Sequence, residues 1–177
     1  MPSKLAPVIL SEYQPSWAAL YEKEKEAILL VLTPCILEIE HIGSTAISGA
    51  LAKPEIDIMV LVKSFGDESS FIPAFEALGY VYFKRFEEMV PERRYFRKSD
   101  GIVPLVHVHV VETKGEFWND RIDFKRYMLE HPESVSLYNE TKKRLAEEFK
   151  ENRKEYSAQK DIIVQEILRL AREGRAS

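Results

Sequence analysis

The sequence predicts an α+β fold, with a β-sheet and its packed helices in residues 1–115 and a helical region in residues 116–177. Two observations indicate this division. Strand-like apolar runs, several of them alternating, recur up to Gly115, whereas the segments after it have the three-and-four spacing of amphipathic helices. Strands followed by a run of helices are typical of α+β proteins.

Composition and charge narrow the class of protein. The 177 residues are 45% hydrophobic and 31% charged, which describes an ordinary globular protein. The net charge of -4 argues against general nucleic-acid binding. The single cysteine, Cys35, excludes an internal disulfide. No signal-type N-terminus and no apolar run of about 20 residues is present. We therefore expect a cytoplasmic protein with no membrane partner.

The first elements follow from helix caps, prolines and alternation. Ser16 is placed to cap a helix that Pro34 stops. The helix has one largely apolar face, formed by Trp17, Leu20, Tyr21, Glu24, Ile28 and Val31. Ile36–Ile42 alternates as a half-covered strand. After the turn at Gly43, residues 46–52 have room for two helical turns at most. Pro54 then favours an extended chain, and Glu55–Val62 is the next strand.

The remaining elements are bounded by glycines and prolines. A helix over residues 71–78 is expected to end at Gly79. Strands are predicted over residues 80–84, 93–98 and 102–112, the last two joined by a hairpin turn at Asp100-Gly101. Helices are predicted over residues 117–129, from Pro132 onward, and over residues 153–173.

An acid pair beside a glycine turn is the strongest chemical signal. Glu55 and Asp57 lie two positions apart, so strand alternation puts both on one face. Ionised carboxylates within an apolar run need a cation, and Mg²⁺ prefers carboxylates together with phosphates. The N–H groups after Gly43 and the Ser44 hydroxyl are donors suited to an anion. Spacing alone leaves open a tight turn beside a solvent-exposed acid pair.

Histidines and cations add weaker signals. His107 and His109 share one face of a strand, and with His41 they could bind a transition metal or contact phosphate. Alternatively, they are partly buried imidazoles hydrogen-bonded to the backbone. Several cations surround the sheet elements and could receive a triphosphate: Lys53, Lys84, Arg85, Arg93, Arg94 and Arg97. The sequence has neither a Gly-x-x-x-x-Gly-Lys-Ser/Thr phosphate loop nor a Gly-x-Gly-x-x-Gly motif, which disfavours the enzymes built on those motifs.

Several spaced motifs, in order, resemble the signature of the GrpB-like family. Residues 39–49 read IEHIGSTAISG, followed by Lys53-Pro54 and by Asp57 within residues 56–58, IDI. Residues 13–17 read YQPSW and residues 107–111 read HVHVV, both similar to family segments. The helical part also has residues at matching positions: Phe124, Tyr127, Pro132, Tyr138, Lys142, Leu145, Ala146, Tyr156 and Lys160.

The resemblance implies a single domain over residues 1–177 with the nucleotidyltransferase fold shared with DNA polymerase beta. That fold has a core of mixed strands with helices on one side, here followed by the helical region. The implied activity is transfer of a nucleotide from a nucleoside triphosphate, with Mg²⁺, to an unknown acceptor, a small molecule rather than a nucleic acid.

The resemblance and the acid pair together suggest roles for individual residues. The catalytic set is Asp57, Glu55, His107 and His109; the metal ligands are Asp57 and Glu55; the nucleotide-binding set is Gly43, Ser44, Thr45 and Lys53. Two features depart from the pattern: Glu55 stands where the family usually has an aliphatic residue, and residues 124–127 read FKRY where the family motif is Phe-Arg-Asp-Tyr. In addition, the third carboxylate that is common in nucleotidyltransferases has no clear candidate, since Glu112 points to the opposite face of a regular strand. An inactive module that binds a nucleotide or a phosphorylated metabolite is therefore the alternative.

Overall fold

A five-stranded mixed sheet forms the centre of the computed structural model, which describes residues 7–32, 34–99 and 105–175. The strands are β1 (Ile36–Ile42), β2 (Glu55–Val62), β3 (Val81–Tyr82), β4 (Arg94–Lys98) and β5 (Leu105–Val111). Their order across the sheet is β1-β2-β5-β4-β3. The two central strands, β2 and β5, run parallel, and the other neighbours are antiparallel. The expected α+β fold with a mixed sheet is confirmed.

Five α-helices accompany the sheet in the described part of the chain. They are α1 (Pro15–Leu32), α2 (Glu68–Ala77), α3 (Glu116–Glu130), α4 (Pro132–Glu148) and α5 (Arg153–Arg175). Pro132 occupies the first turn of α4, where its missing N–H leaves no intrahelical bond unmade. Within the described ranges, none of the helices combines the length and the hydropathy that a membrane crossing requires.

The period-two pattern of β2 divides the core into two layers. Ile56, Ile58 and Val60 pack with residues of α1 and α2, such as Trp17 and Phe71. On the opposite face, a smaller cluster joins the sheet to α3 and consists of Ile42, Met59, Leu61, Val111 and Trp118. Helices α1 and α2 therefore cover one face, and the helical region reaches the other.

A third apolar cluster fastens the segment between β1 and β2 to the helical region. Ile47 and Ala50 are fully buried among side chains of α3, α4 and α5, including Met128, Tyr138 and Ile167. The segment itself forms only a short 3₁₀ turn, Ser44–Ala46, so the two helical turns for which residues 46–52 had room are absent. Its conformation depends on these long-range contacts.

Other element boundaries also differ from the expectations. Helix α1 begins at Pro15, so Ser16 lies inside it, and Leu32 rather than the 41% exposed Val31 completes the apolar face. Helix α2 begins before residue 71. Strand β3 has two residues rather than five, because it is an edge strand that pairs with only two residues of β4. Residues 100–104, with the predicted hairpin turn, lie outside the described residues.

Candidate functional site

The parallel pairing of β2 with β5 brings Asp57 and two histidines together. Asp57 is directly opposite His107, and Met59 is opposite His109, so all share one face of the sheet. His107 Nδ1 and His109 Nε2 each lie 3.4 Å from Asp57 Oδ1. The structure thus brings together three of the four residues expected to be catalytic.

Arg93 fixes the protonation of the His109 ring. Its Nη1 lies 3.2 Å from His109 Nδ1, and a guanidinium group can only donate. His109 Nδ1 is therefore the acceptor, and Nε2–H donates to Asp57. Burial lowers the pKa of His109 to about 4, although the hydrogen bond to Asp57 favours protonation. At neutral pH, His109 is a neutral donor that orients Asp57, with both ring nitrogens engaged.

Asp57 is held ionised beside the glycine turn. Burial alone would raise the pKa of its carboxyl, but the hydrogen bonds from His107 and His109 are the main opposing effect, and this pKa lies well below its usual range. Gly43 lies against the carboxylate, since a Cβ at that position would be 2.6 Å from Asp57 Oδ2. With a φ of +73°, Gly43 also has a backbone conformation that side chains disfavour.

Glu55 is engaged by two cations. Lys53 Nζ lies 3.0 Å from its Oε2, and Arg153 Nη1 lies 3.6 Å from its Oε1. Two residues expected to act on different ligands, Glu55 on metal and Lys53 on nucleotide, thus neutralise each other. To bind Mg²⁺, Glu55 would have to leave both partners.

The hydroxyls of Thr45 and Ser44 have different environments. Thr45 is 1% exposed; its hydroxyl donates to the Glu55 carbonyl at 3.3 Å and so accepts from His41 Nε2 at 3.1 Å. This arrangement holds the turn against β2. The Ser44 hydroxyl instead lies between two residues of α4, 3.2 Å from both Tyr138 Oη and Lys142 Nζ.

Lys142 is the site residue to which sequence reasoning assigned no role. It is 3% exposed, and its ammonium group donates to Ser44 Oγ and to the Leu51 carbonyl. Burial, followed by the charges of Lys160 and Lys53, lowers the pKa of Lys142 well below that of an ordinary lysine. The available signal was a lysine within the apolar stripe of the helix that begins at Pro132, between Tyr138 and Leu145.

Helix α4 also holds the chain between Gly43 and Lys53 in place. The Asn139 amide accepts from the Leu51 N–H at 2.7 Å and donates to the Gly49 carbonyl at 2.8 Å. Because Lys142 binds the Leu51 carbonyl, both backbone polar groups of Leu51 are bonded to side chains of one helix. The turn that carries Ser44 is thus positioned by residues about 90 positions later.

A cavity of about 240 Å³, here called the lysine cavity, opens between these groups. Its wall includes Ser44, Lys53, Asp57, His107, Lys142 and Lys160. Among the described residues, neither Lys142 nor Lys160 forms an ion pair with a carboxylate. Two buried atoms of the wall, His107 Nε2 and Tyr156 Oη, have no hydrogen-bond partner in the described part of the chain. Since buried polar atoms are normally bonded, the cavity has the features of a polar ligand site.

The donor set fits Mg²⁺ only with help from a ligand. Asp57 lines the cavity as an ionised carboxylate, whereas Glu55 is paired. No group of three or more potential metal-binding side chains occurs among residues 7–32, 34–99 and 105–175. Mg²⁺ commonly binds through one or two carboxylates and substrate phosphates, so Asp57 with a phosphate would suffice.

The three-histidine cluster is not formed. His41 is paired with Ile58 across β1 and β2, which puts it on the sheet face opposite to Asp57, His107 and His109. Its ring stacks on Tyr21 with centroids 4.8 Å apart. The transition-metal hypothesis built on His41, His107 and His109 is wrong in its geometry.

Comparisons with known proteins agree with this architecture. A family model described as GrpB protein matches residues 7–170. The glutamate-rich protein GrpB of Alkalihalophilus pseudofirmus is 34% identical over 165 residues, covering 91% of this chain and 94% of that protein. A UPF0157 protein of Halalkalibacterium halodurans is 34% identical over 167 residues, 94% of this chain and 83% of its own. The crystal structure of the conserved protein GrpB from Enterococcus faecalis has a TM-score of 0.85 and 30% identity, covering 96% of this chain and 100% of that one.

Proposed function

Because the chain belongs to the GrpB family, we propose that it uses the lysine cavity to bind a nucleotide through its phosphate groups. The observation that carries the proposal is Lys142, a buried lysine that contacts Ser44 and has no carboxylate partner among the described residues. Burying an unpaired ammonium costs several kcal/mol. A phosphate in the cavity would supply the missing negative charge.

The rest of the cavity supports the same ligand chemistry. Lys160 and Lys53 add positive charge near Lys142, and Ser44 adds a hydroxyl. Like charges held close together are costly unless an anion neutralises them. Tyr156 Oη, buried without a partner in the described residues, is a further donor at the wall. Together these groups suit an oxyanion with several oxygens.

Nucleotidyl transfer is the second candidate, favoured by the position of Asp57. The ionised carboxylate lies on the cavity wall and is oriented by His107 and His109. Asp57 would hold Mg²⁺, which would neutralise phosphate charge and favour ionisation of an attacking hydroxyl. In such a reaction, an acceptor hydroxyl forms a bond to the α-phosphorus, and pyrophosphate and a proton are released. The pairing of Glu55 with Lys53 and Arg153 makes binding without transfer the better supported function.

Calorimetric titration tests the binding proposal. We expect the wild-type protein to bind inorganic tripolyphosphate and nucleoside triphosphates, each with Mg²⁺. Lys142→Met should weaken tripolyphosphate binding at least tenfold, and so should Lys160→Met, whose half-buried side chain is less tied to the fold. Lys143→Met removes the same charge from the exposed face of α4 and should change affinity less than twofold. Unchanged affinity in both cavity variants, or no binding by the wild type, would refute the proposal.

Release of pyrophosphate distinguishes transfer from binding. If the protein transfers nucleotides, pyrophosphate should appear with Mg²⁺ and a mixture of hydroxyl-bearing acceptors, and Asp57→Asn should slow its release roughly 100-fold or more. The control is Glu112→Gln, an acid that is not part of the wall of the lysine cavity and accepts from the Phe65 N–H. Equal rates in wild type and Asp57→Asn would remove Asp57 from the reaction.

A further inference from the structure

A second cavity, whose wall also includes Ser44, lies among residues of α3, α4 and α5. It measures about 300 Å³ and is here called the helical cavity. Ser44 and Lys160 belong to the walls of both cavities, so the two spaces adjoin. The volume of each alone is at or below the lower end of the range for small-molecule sites, roughly 300–1,000 Å³. A ligand larger than a phosphate group would extend from one into the other.

The walls of the two cavities differ in chemistry. The helical cavity has a mixed lining, in which Phe124, Tyr138, Val164 and Leu168 form an apolar part and charged and polar side chains form the rest. Phe124 and Tyr138 meet edge to face, with ring centroids 5.6 Å apart. The lysine cavity, by contrast, is lined mainly by charged and polar side chains. An apolar surface beside hydrogen-bonding groups suits the organic part of a ligand, and within these two cavities the helical cavity has the larger apolar surface.

Charge also distinguishes the two spaces. In the lysine cavity, three lysines face two carboxylates, those of Glu55 and Asp57. In the helical cavity, Arg121 and Lys160 are matched by Asp120 and Asp161, and Asp120 is further paired with Arg172 at 2.5 Å. A phosphate group is therefore favoured on the lysine side, and a neutral group on the helical side.

We propose that the helical cavity binds the nucleoside part of the nucleotide whose phosphates occupy the lysine cavity. This inference rests on the proposed function. A planar base would contact the apolar side chains Val164 and Leu168 of α5, and the exposed Gln165 and Ser157 at the rim offer hydrogen-bonding groups. Helix α5 would then determine which base is preferred, and Ser44 would stand at the junction of sugar and phosphates.

A substitution that fills the helical cavity distinguishes binding of the nucleoside part from binding of the phosphates. The wild-type protein is titrated with tripolyphosphate and with the four ribonucleoside triphosphates, all with Mg²⁺. At least one nucleotide should bind ten times or more tightly than tripolyphosphate. Val164→Phe fills the helical cavity and should remove this advantage while leaving tripolyphosphate affinity within twofold. Ile162→Phe, on the exposed side of α5, is the matched control and should have no effect.

Each outcome has a distinct meaning. If tripolyphosphate binds but no nucleotide binds better, or if Val164→Phe weakens both ligands equally, the inference is overturned and the phosphate site stands. If neither ligand binds, the proposed function fails as well. Should Val164→Phe unfold, Ser157→Phe fills the same cavity from an exposed position on α5 and is expected to give the same selective loss.

Discussion

At the scale of single residues, Gly43 ties backbone conformation to the candidate site. Its φ of +73° and ψ of -175° fall in a region essentially restricted to glycine, which costs other residues about 1–3 kcal/mol. The Asp57 carboxylate occupies the space that a side chain would need. A side chain at residue 43 would therefore have two effects: it would strain the turn, and it would displace the Asp57 carboxylate.

We predict that Gly43→Ala lowers the free energy of unfolding by about 2 kcal/mol or more, the sum of backbone strain and the contact with Asp57. Urea denaturation measures the change. Gly174→Ala is the control, because nothing lies within 4 Å of the added methyl and alanine favours helix. A loss below about 0.5 kcal/mol at Gly43 would contradict the described turn geometry.

His41 makes stability depend on pH. Burial, followed by the charge of Lys125, lowers its pKa from 6.5 to about 4 in the folded protein. Between these values the unfolded chain binds more protons, so the free energy of unfolding falls as pH decreases from about 6.5 towards 4, by up to about 1.4 kcal/mol per pH unit. His109, whose pKa is also lowered to about 4, acts in the same direction.

We predict that His41→Gln flattens this dependence. Denaturation at pH 7, 6 and 5 should show wild type losing more stability than the variant, by about 1 kcal/mol between pH 6 and 5. The comparison concerns the slope, so a uniform destabilisation from the lost stacking on Tyr21 does not affect it. If the free energy of unfolding changed equally with pH in wild type and variant, His41 would have the same pKa in the folded and unfolded states.

The residues of the site were predictable to different degrees. Asp57 and His107 follow from strand alternation, since a face of a strand is a local property of the sequence. The role of Lys142 is not local, because its partner at Leu51 lies 91 residues earlier in the chain. The opposite orientation of His41 was likewise set by the pairing of β1 with β2.

At the scale of elements, a buried polar network connects α1 to β4. Glu24 is 5% exposed and accepts from Tyr80 Oη at 2.7 Å and from Lys98 Nζ at 3.0 Å. The Lys98 ammonium also lies over the Tyr80 ring. Removing the carboxylate would leave a buried hydroxyl and an ammonium group without their acceptor.

Glu24→Ala is therefore expected to destabilise the protein by about 3 kcal/mol, the usual cost of breaking a buried pair. Glu22→Ala is a suitable control, because that carboxylate pairs with Lys25 at the surface and should contribute less than about 1 kcal/mol. Thermal or urea denaturation of both variants gives the comparison. Equal effects would show that the Glu24 network contributes no more than a surface ion pair.

Some elements were easier to predict than others. The bounds of β1 and β2 match the expectation, because alternation, a proline and a glycine mark them. The predicted strand over residues 80–84 was longer than β3. Its aromatic residues favour a strand, but only two residues of β4 pair with it at the sheet edge, and this pairing sets its length. The segment after Gly43 has only a short 3₁₀ turn and no α-helix, and Asn139 and Lys142 bind backbone groups that an α-helix would use internally.

At the scale of the whole molecule, the sheet and the helical region share buried surface. Trp118 of α3 packs with Met59 and Leu61 of β2, and Ile47 packs among the C-terminal helices. Residues 1–115 alone would expose both surfaces. We therefore predict that residues 1–177 unfold as one cooperative domain.

The two tryptophans provide a direct measurement. Trp17 is buried on the α1 side of the sheet and Trp118 on the α3 side. Trp118→Phe and Trp17→Phe each leave one fluorescent reporter. In each variant, the urea midpoint from fluorescence should coincide with that from circular dichroism. A fluorescence midpoint that separates from circular dichroism in either variant would indicate two independently unfolding parts.

The central pairing of β2 with β5 also affects how the protein folds. Asp57 and His109 are 52 residues apart in the chain, and they meet only when two parallel strands are joined across that distance. Closing a long loop costs entropy before any contact repays it, so such pairings form slowly compared with helices. The carboxylate therefore acquires its histidine partners only in chains that have completed the sheet. Partly folded molecules in which β2 and β5 are not yet paired, even those rich in helix, lack a carboxylate positioned by the two histidines.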